Sequence, residues 1–279
     1  MDKMKMAVIG SGMMGRAIIT GIIKNQILNP ETIFVSDIDP EKIKELHDEL
    51  HVSTAGSNVE CVKGADLVLI AVKPQYLQPV LDELYGKIKS ESLIISIVAG
   101  VPIQRFIDGL GNQKIVRVMP NTPAQILEGV SGWYTSPEVN SEQKVLVEKI
   151  LSGLGMAIPF SKESDLDQVA AISGSGPAYV FLFMEAMIDT AVHMGFPRKI
   201  AEKLVTQTVR GSVNYFEKRG EHPAVLRNEV TSPGGTTAEA LYYMEKEGLR
   251  HAVSSGMWAC LNRTVELREN QPRQKGPTA

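Results

Sequence analysis

Apolar residues in the first part of the chain come in short unbroken runs. Between the runs, apolar positions recur every three or four residues. The runs are "MKMAVIG", "TIFVSD", "ADLVLIAV", "SLIISIVAG" and "QKIVRVMP", and between them lie "MMGRAIITGIIKN", "PEKIKELHDEL" and "LQPVLDELYGKI". A short continuous apolar run suits a strand covered on both faces, and a period near 3.6 suits a helix. Their alternation predicts an α/β domain with a doubly wound, mostly parallel sheet. Two further strands are expected at "GVSGWYT" and "GMAIPF", with a helix through "EQKVLVEKILSGL" between them.

After Ser161 the strand pattern stops. Helical stretches follow, from Pro177 to Gly195 and from Pro197 to Gly220, each opened by proline and closed by glycine. "TTAEALYYMEKEG" and "LRHAVSSGMWACLNRTVELREN" complete an all-helical second domain. The expected division is 1–161, 162–270 and a flexible tail over 271–279. The helix from Pro177 is apolar around most of its circumference, through Tyr179, Val180, Phe181, Leu182, Phe183 and Met184. Such a helix is buried either by its own domain or by a second subunit. In so small a domain the pattern favours a dimer.

Composition narrows the function classes. The 279 residues carry a formal net charge of -3 and no strip of Lys or Arg, which argues against a nucleic-acid or membrane-surface partner. Cys61 and Cys260 form no CxxC and have no histidine cluster beside them, so neither a disulfide framework nor a metal site is expected. The opening apolar run is too short for a signal peptide. The run "AYVFLFMEAMIDTAVHM" carries Glu185 and Asp189, so no bilayer span is expected either. These features predict a cytoplasmic protein.

"GSGMMG", Gly10 to Gly15, is a G-x-G-x-x-G directly between a strand pattern and a helix pattern. That context makes it a dinucleotide fingerprint. Gly10 permits the tight turn, Gly12 the approach of a pyrophosphate, and Gly15 close packing of helix on strand, with the helix N-terminus facing the phosphates. The first domain is thus expected to be a Rossmann domain. Asp37 ends the second run some twenty residues beyond Gly15, where an acid accepts from the ribose 2′-hydroxyl and repels a 2′-phosphate. Asp37 is equally placed to help cap the next helix, in "SDIDPEK". Lys73, in "AVKPQ", sits at the carboxyl end of a strand and before a proline, hence in extended backbone. Ala99, Asn121 and Thr122 end neighbouring strands and are expected to rim the same crevice. No G-x-S-x-G elbow and no HExxH occurs, and no histidine is marked as a general acid by its context.

Together, "GSGMMG", "AVKPQ", "SIVAG", "RVMPNTPA", "ISGSGPAYVF", "MGFPRKIAEKLVTQT" and "SPGGTTAEAL" resemble the pyrroline-5-carboxylate reductases, in order and over nearly the whole chain. The resemblance implies a Rossmann domain followed by a helical dimerisation domain. It implies reduction of 1-pyrroline-5-carboxylate to L-proline with NADPH or NADH, and dimers that assemble into a decamer. It places the dinucleotide on Ile9, Gly10, Ser11, Gly12, Met13, Met14 and Gly15, with the adenosine ribose near Ser36 and Asp37. Asn58 is a further cofactor contact, and Val72, Lys73 and Ala99 lie near the nicotinamide half. Around the substrate it places Glu163, Thr236 and Thr237. By its chemistry the loop of Ser232, Gly234, Gly235 and Thr236, at a helix N-terminus, is expected to hold the carboxylate and Thr237 the ring nitrogen, with Lys73 the other catalytic candidate. Glu221 matches an acid that approaches the "AVKP" lysine. The loop is implied to reach the nicotinamide bound to the neighbouring chain. Glu229 stands where some relatives carry a cofactor-touching asparagine, and Asp37 where serine or asparagine often accompanies NADPH. A β-hydroxyacid dehydrogenase would need a lysine in the helix from Pro177, which has none. A dinucleotide sensor without activity would be expected to have lost the "SPGGTT" loop, which is intact.

Overall fold

The computed structural model describes residues 4–269. Eight strands form one sheet: β1 (Met6–Ile9), β2 (Ile33–Ser36), β3 (Ser53–Thr54), β4 (Leu67–Ile70), β5 (Leu93–Ser96), β6 (Ile115–Met119), β7 (Gly129–Thr135) and β8 (Gly155–Pro159). Their order is β3-β2-β1-β4-β5-β6-β7-β8, parallel except where β7 returns antiparallel along β6. The segment joining β6 to β7 holds only a short 3-10 turn, Thr122–Ile126, too little chain for a parallel crossover. Both strands expected late in the domain are present, and the two-residue β3 is an addition that its short "ST" pattern did not signal.

Helices cover both faces of the sheet: α1 (Met13–Lys24), α2 (Pro40–Leu50), α3 (Asn58–Val62), α4 (Leu77–Leu84), α5 (Ile103–Leu110) and α6 (Ser141–Ser152). The unbroken apolar runs divide by parity. Met6, Val8, Leu67 and Leu69 join Ile18, Ile22 and Ile150 from α1 and α6 on one face. Ala7, Ile9, Val68 and Ile70 join Cys61, Leu81 and Phe106 from α3, α4 and α5 on the other. A strand buried on both faces cannot alternate with polar residues, which explains the pattern.

Residues up to Ser175, together with those from Cys260 onward, form one compact unit, and Gly176–Ala259 form the other. The strands end near Ser161, but the packing changes later. Helix α7 (Asp165–Val169) and the π turn Ala170–Gly174 stay with the sheet, because Leu166 is buried and Asp167 is bonded to Arg117 of β6. The tail expected over 271–279 lies outside the described residues.

The second unit consists of α8 (Gly176–His193), α9 (Arg198–Arg219), α10 (Pro223–Glu229), α11 (Thr236–Lys246) and α12 (Leu249–Glu269) as far as Ala259. Helix α8 has no buried residue, and its Phe181 and Leu182 are 61% and 67% exposed. An open apolar groove of about 760 Å³ is lined by Phe183, Met187, Met194, Leu204, Tyr243 and Met244. The π turn joins α7 to α8, so Asp165–His193 makes one stretch long and apolar enough, by length and composition, to cross a membrane.

Candidate active site

The strand order reverses between β1 and β4, and ligands of such sheets bind beyond the carboxyl ends at that point. The chain there is shaped by its glycines. Gly10 has φ +99, and a Cβ on it would lie 2.8 Å from the carbonyl oxygen of Ala71. A Cβ on Gly15 would fall 2.4 Å from the Gly10 carbonyl oxygen, so only glycine lets α1 approach this closely. Gly10 N donates to Ser36 O at 2.8 Å and Ala71 N to Ile9 O at 2.8 Å, tying the loop to both flanking strand ends. Around Gly12 the space is open. It is the N-cap of α1 and no side chain caps it, so the first-turn amides of the helix remain available to an anion. Met13 is exposed beside this opening and Met14 packs against the core.

At the end of β2 the two readings of Asp37 separate. Its Oδ2 accepts from the amide of Ser11 at 2.6 Å and from the Ser11 hydroxyl at 2.9 Å, and its Oδ1 from Asp39 N at 3.0 Å. Capping of α2 falls to Asp39, which accepts from Glu41 N at 3.1 Å. A hydrogen bond from Lys42 holds the Asp39 carboxyl below its ordinary range. The structure therefore turns Asp37 toward the glycine loop. These features fit a nicotinamide dinucleotide: open space at Gly12, an uncapped helix N-terminus, and a fixed acceptor where the ribose would lie.

Asn58 opens α3, and its amide donates to Glu83 of α4 at 2.7 Å. Lys73 is exposed in extended backbone, φ -69 and ψ 149, with its carbonyl accepting from Tyr76 N, and Val72 beside it packs against the core. Ala99 is exposed in the loop between β5 and α5. Asn121 uses its side-chain oxygen to accept from Val130 N at 2.8 Å, which makes it a support of β7.

Glu163 is tied into the first unit by its side chain. Its Oε1 accepts from Ile103 N at 2.8 Å and from Arg117 Nη1 at 3.1 Å, within the first unit. Those contacts give it a supporting place at the start of α5. Arg117 is the residue that the sequence reading missed. The signal was present, a lone arginine inside the apolar run of β6, and its side chain is 4% exposed.

The second unit carries the other candidate loop. Gly234 has φ +69, Gly235 N donates to Ser232 O at 3.0 Å, and Gly235 is the N-cap of α11 with no side-chain cap bond. The amides of Thr236 and Thr237 thus begin a helix whose first turn is open to an anion. In the same unit, Arg219 donates to Glu229 at 2.8 Å and to Glu221 at 2.7 Å, while Tyr215 donates to Glu229 at 3.0 Å. The hydrogen bond from Arg219 holds the Glu229 carboxyl below its ordinary range. Glu229 thus belongs to an ion-paired cluster with Arg219 and Tyr215.

The family model described as "Pyrroline-5-carboxylate reductase dimerisation" matches residues 163–267, and "NADP oxidoreductase coenzyme F420-dependent" matches residues 5–100. The chain is 39% identical to the pyrroline-5-carboxylate reductase of Escherichia coli over 94% of its length and 98% of that protein. It is 39% identical to that of Methanosarcina acetivorans, over 96% and 99%. The crystal structure of Plasmodium falciparum pyrroline carboxylate reductase with NADP bound superposes with a TM-score of 0.88 at 33% identity, over 96% of this chain and 99% of that one.

Proposed function

This chain belongs to the pyrroline-5-carboxylate reductase family, and from that premise we propose which of its residues do the work. It is an NAD(P)H-dependent oxidoreductase that reduces 1-pyrroline-5-carboxylate to L-proline. The observation that carries this is identity spread over nearly the full length of both chains, rather than over the dinucleotide half alone.

Ile9 to Gly15 hold the pyrophosphate through loop amides and the α1 N-terminus, Ser36 and Asp37 the adenosine ribose, and Asn58 the adenosine side. Val72, Lys73 and Ala99 face the nicotinamide half. When bound, the reduced dinucleotide supplies the hydride. The substrate is a cyclic imine bearing a carboxylate. Once protonated on nitrogen it accepts at C5 without further acid catalysis, which accounts for the lack of a marked histidine. The protein's task is then to bind, orient and exclude water. The amides of Gly234, Gly235 and Thr236 with Ser232 hold the carboxylate, and Thr237 fixes the ring nitrogen. Positioning of this kind is worth on the order of 7–11 kcal/mol in favourable intramolecular models. Glu163 supports the site from behind α5.

Asp37 favours NADH. A carboxylate fixed by two bonds from Ser11 accepts from a free 2′-hydroxyl and opposes a 2′-phosphate. The adjacent cations are already paired, Lys42 with Asp39, and Arg16 with Glu45 and Glu49. The exposed apolar face of α8 and the groove beside it are covered by a second copy of the chain, whose loop Ser232–Thr237 serves the neighbour's nicotinamide. Such dimers assemble further, to a decamer. The same contact, rather than a bilayer, buries the apolar stretch Asp165–His193, in keeping with Glu185 and Asp189 within it and a cytoplasmic enzyme. The test is oxidation of NADH and NADPH by the purified protein with pyrroline-5-carboxylate. Absence of turnover with that substrate, beside activity on a 3-hydroxyacid, overturns the reading.

A further inference from the structure

Behind the loop that carries Ala99 lies a chain of charges that ends on the last turn of α12. Arg268 donates to Asp167 Oδ2. The other oxygen of Asp167 accepts from Arg117 Nη2 at 3.2 Å, and Arg117 Nη1 donates to Glu163 Oε1 at 3.1 Å. That same Glu163 oxygen accepts the backbone N–H of Ile103 at 2.8 Å. Arg268 also pairs with the exposed Glu269 at 3.9 Å, while the Arg117 and Asp167 side chains inside the chain of charges are only 4% and 2% exposed. All of these residues belong to the first compact unit.

The backbone explains why this matters at the site. Ile103 is the first residue of α5, its N-cap is Pro102, and no side chain of its own segment caps the helix. Glu163 supplies that cap from outside, so it fixes where α5 begins and hence where Ala99 to Pro102 must run. The same turn of α12 also lies beside the loop. Gly100 is buried at φ +71, and a Cβ on it would lie 3.6 Å from Leu267 Cβ. Arg268 is thereby linked to the α5 end of the loop through three relayed ion pairs, and Leu267 lies beside Gly100.

We propose that Arg268, acting through Asp167, Arg117 and Glu163, is a positioning residue that sets the Ala99–Gly100 loop against the nicotinamide end of the coenzyme. The proposal rests on the reading of Ala99 as the nicotinamide-side rim. Without Arg268, the buried Asp167 has Arg117 as its ion-pair partner among the described residues, and it competes with Glu163 for that guanidinium. Loss of the Arg117 bond frees Glu163, the α5 cap and the loop. The adenosine side, built from β1, β2 and Asp37, has no part in this chain.

The test compares two ligands by titration calorimetry on the full-length protein. NADH carries the nicotinamide, and ADP-ribose carries the same adenosine diphosphate ribose without it. For Arg268→Met, the Kd for NADH is expected to rise by about five- to tenfold, within the range of couplings carried by such networks, and the KM for NADH to follow. ADP-ribose should bind as to the wild type, and Arg268→Lys should recover most of the NADH affinity. Unchanged NADH binding overturns the proposal. So does a parallel loss of both ligands, which is the mark of general destabilisation, or a lysine variant no better than methionine. A wild-type protein that binds NADH no more tightly than ADP-ribose overturns the placement of the loop itself. No oxidation of NADH with pyrroline-5-carboxylate by the wild type would strike the functional reading instead.

Discussion

The carboxylate of Asp37 accepts both the amide and the hydroxyl of Ser11, at 2.6 and 2.9 Å, and so joins the end of β2 to the glycine loop after β1. In the proposed placement of the dinucleotide, this carboxylate lies at the adenosine end of the crevice. A 2′-phosphate would meet that charge, and like charges so juxtaposed cost several kcal/mol.

Replacing Asp37 should therefore change the choice of coenzyme. Asp37→Ser is expected to raise the ratio of kcat/KM for NADPH over NADH by about tenfold or more, the equivalent of about 1.4 kcal/mol. Steady-state kinetics with each nucleotide reads this out. An unchanged ratio would remove Asp37 as the discriminating residue.

Thr237→Ala should weaken the substrate half alone. Loss of a hydrogen bond to a charged group costs about 1.5–3 kcal/mol, so kcat/KM for pyrroline-5-carboxylate should fall by about ten- to a hundredfold. The Kd for NADH should stay within about twofold, and Thr237→Ser should retain most activity. Equal kinetics for Ala and Thr would sink the role given to Thr237.

At Gly15 there is no room for a methyl group. Its Cβ would sit 2.4 Å from the Gly10 carbonyl oxygen, and overpacking of this type costs about 1–3 kcal/mol. Gly15→Ala is expected to lower Tm and to weaken both NADH and ADP-ribose, because the whole loop shifts.

The apolar surface of α8 predicts the assembly. Leu182→Glu, at a position 67% exposed in the single chain, should leave the monomer folded by circular dichroism yet lower the mass measured by light scattering. A wild-type mass equal to one chain would contradict the dimer.

Cys61 and Cys260 should differ in reactivity. Cys61 is fully buried, and burial pushes its thiol up from an ordinary 9.0 to about 11. It should resist alkylation near neutral pH until the protein unfolds, while the half-buried Cys260 labels first. The raised value also sets a sign. The stability held while the thiol stays protonated in both states is lost as pH climbs from 9.0 through about 11, because only the unfolded chain ionises freely. Alkylation of Cys61 ahead of Cys260 in the native protein would reverse the assignment.

Much of this protein was legible before folding was considered. Unbroken apolar runs are what a strand covered on both faces requires, so "MAVI", "LVLI" and "LIIS" announced the sheet. The glycine spacing of "GSGMMG" announced the turn, because the constraint at Gly10 and Gly15 is local backbone and steric room. Local periodicity could not report partners distant in sequence. Asp37 read equally as a helix cap, and only its approach to Ser11 separated the two roles. Glu163 read as a substrate contact, and only the fold brought Arg117 and Ile103 N to its oxygen. Arg117, a lone charge in an apolar strand, was passed over, and its counter-ions lie some fifty residues on, at Glu163 and Asp167. Sequence alone thus determined most of the longer strands and helices, the dinucleotide turn and the loop "SPGGTT", since those depend on neighbours along the chain. The two-residue β3 and the short helices α3, α7 and α10 did not show in it. Tertiary structure alone decided which charges meet, because a buried ion must find its partner in space, and the chain's own order does not say where that partner lies.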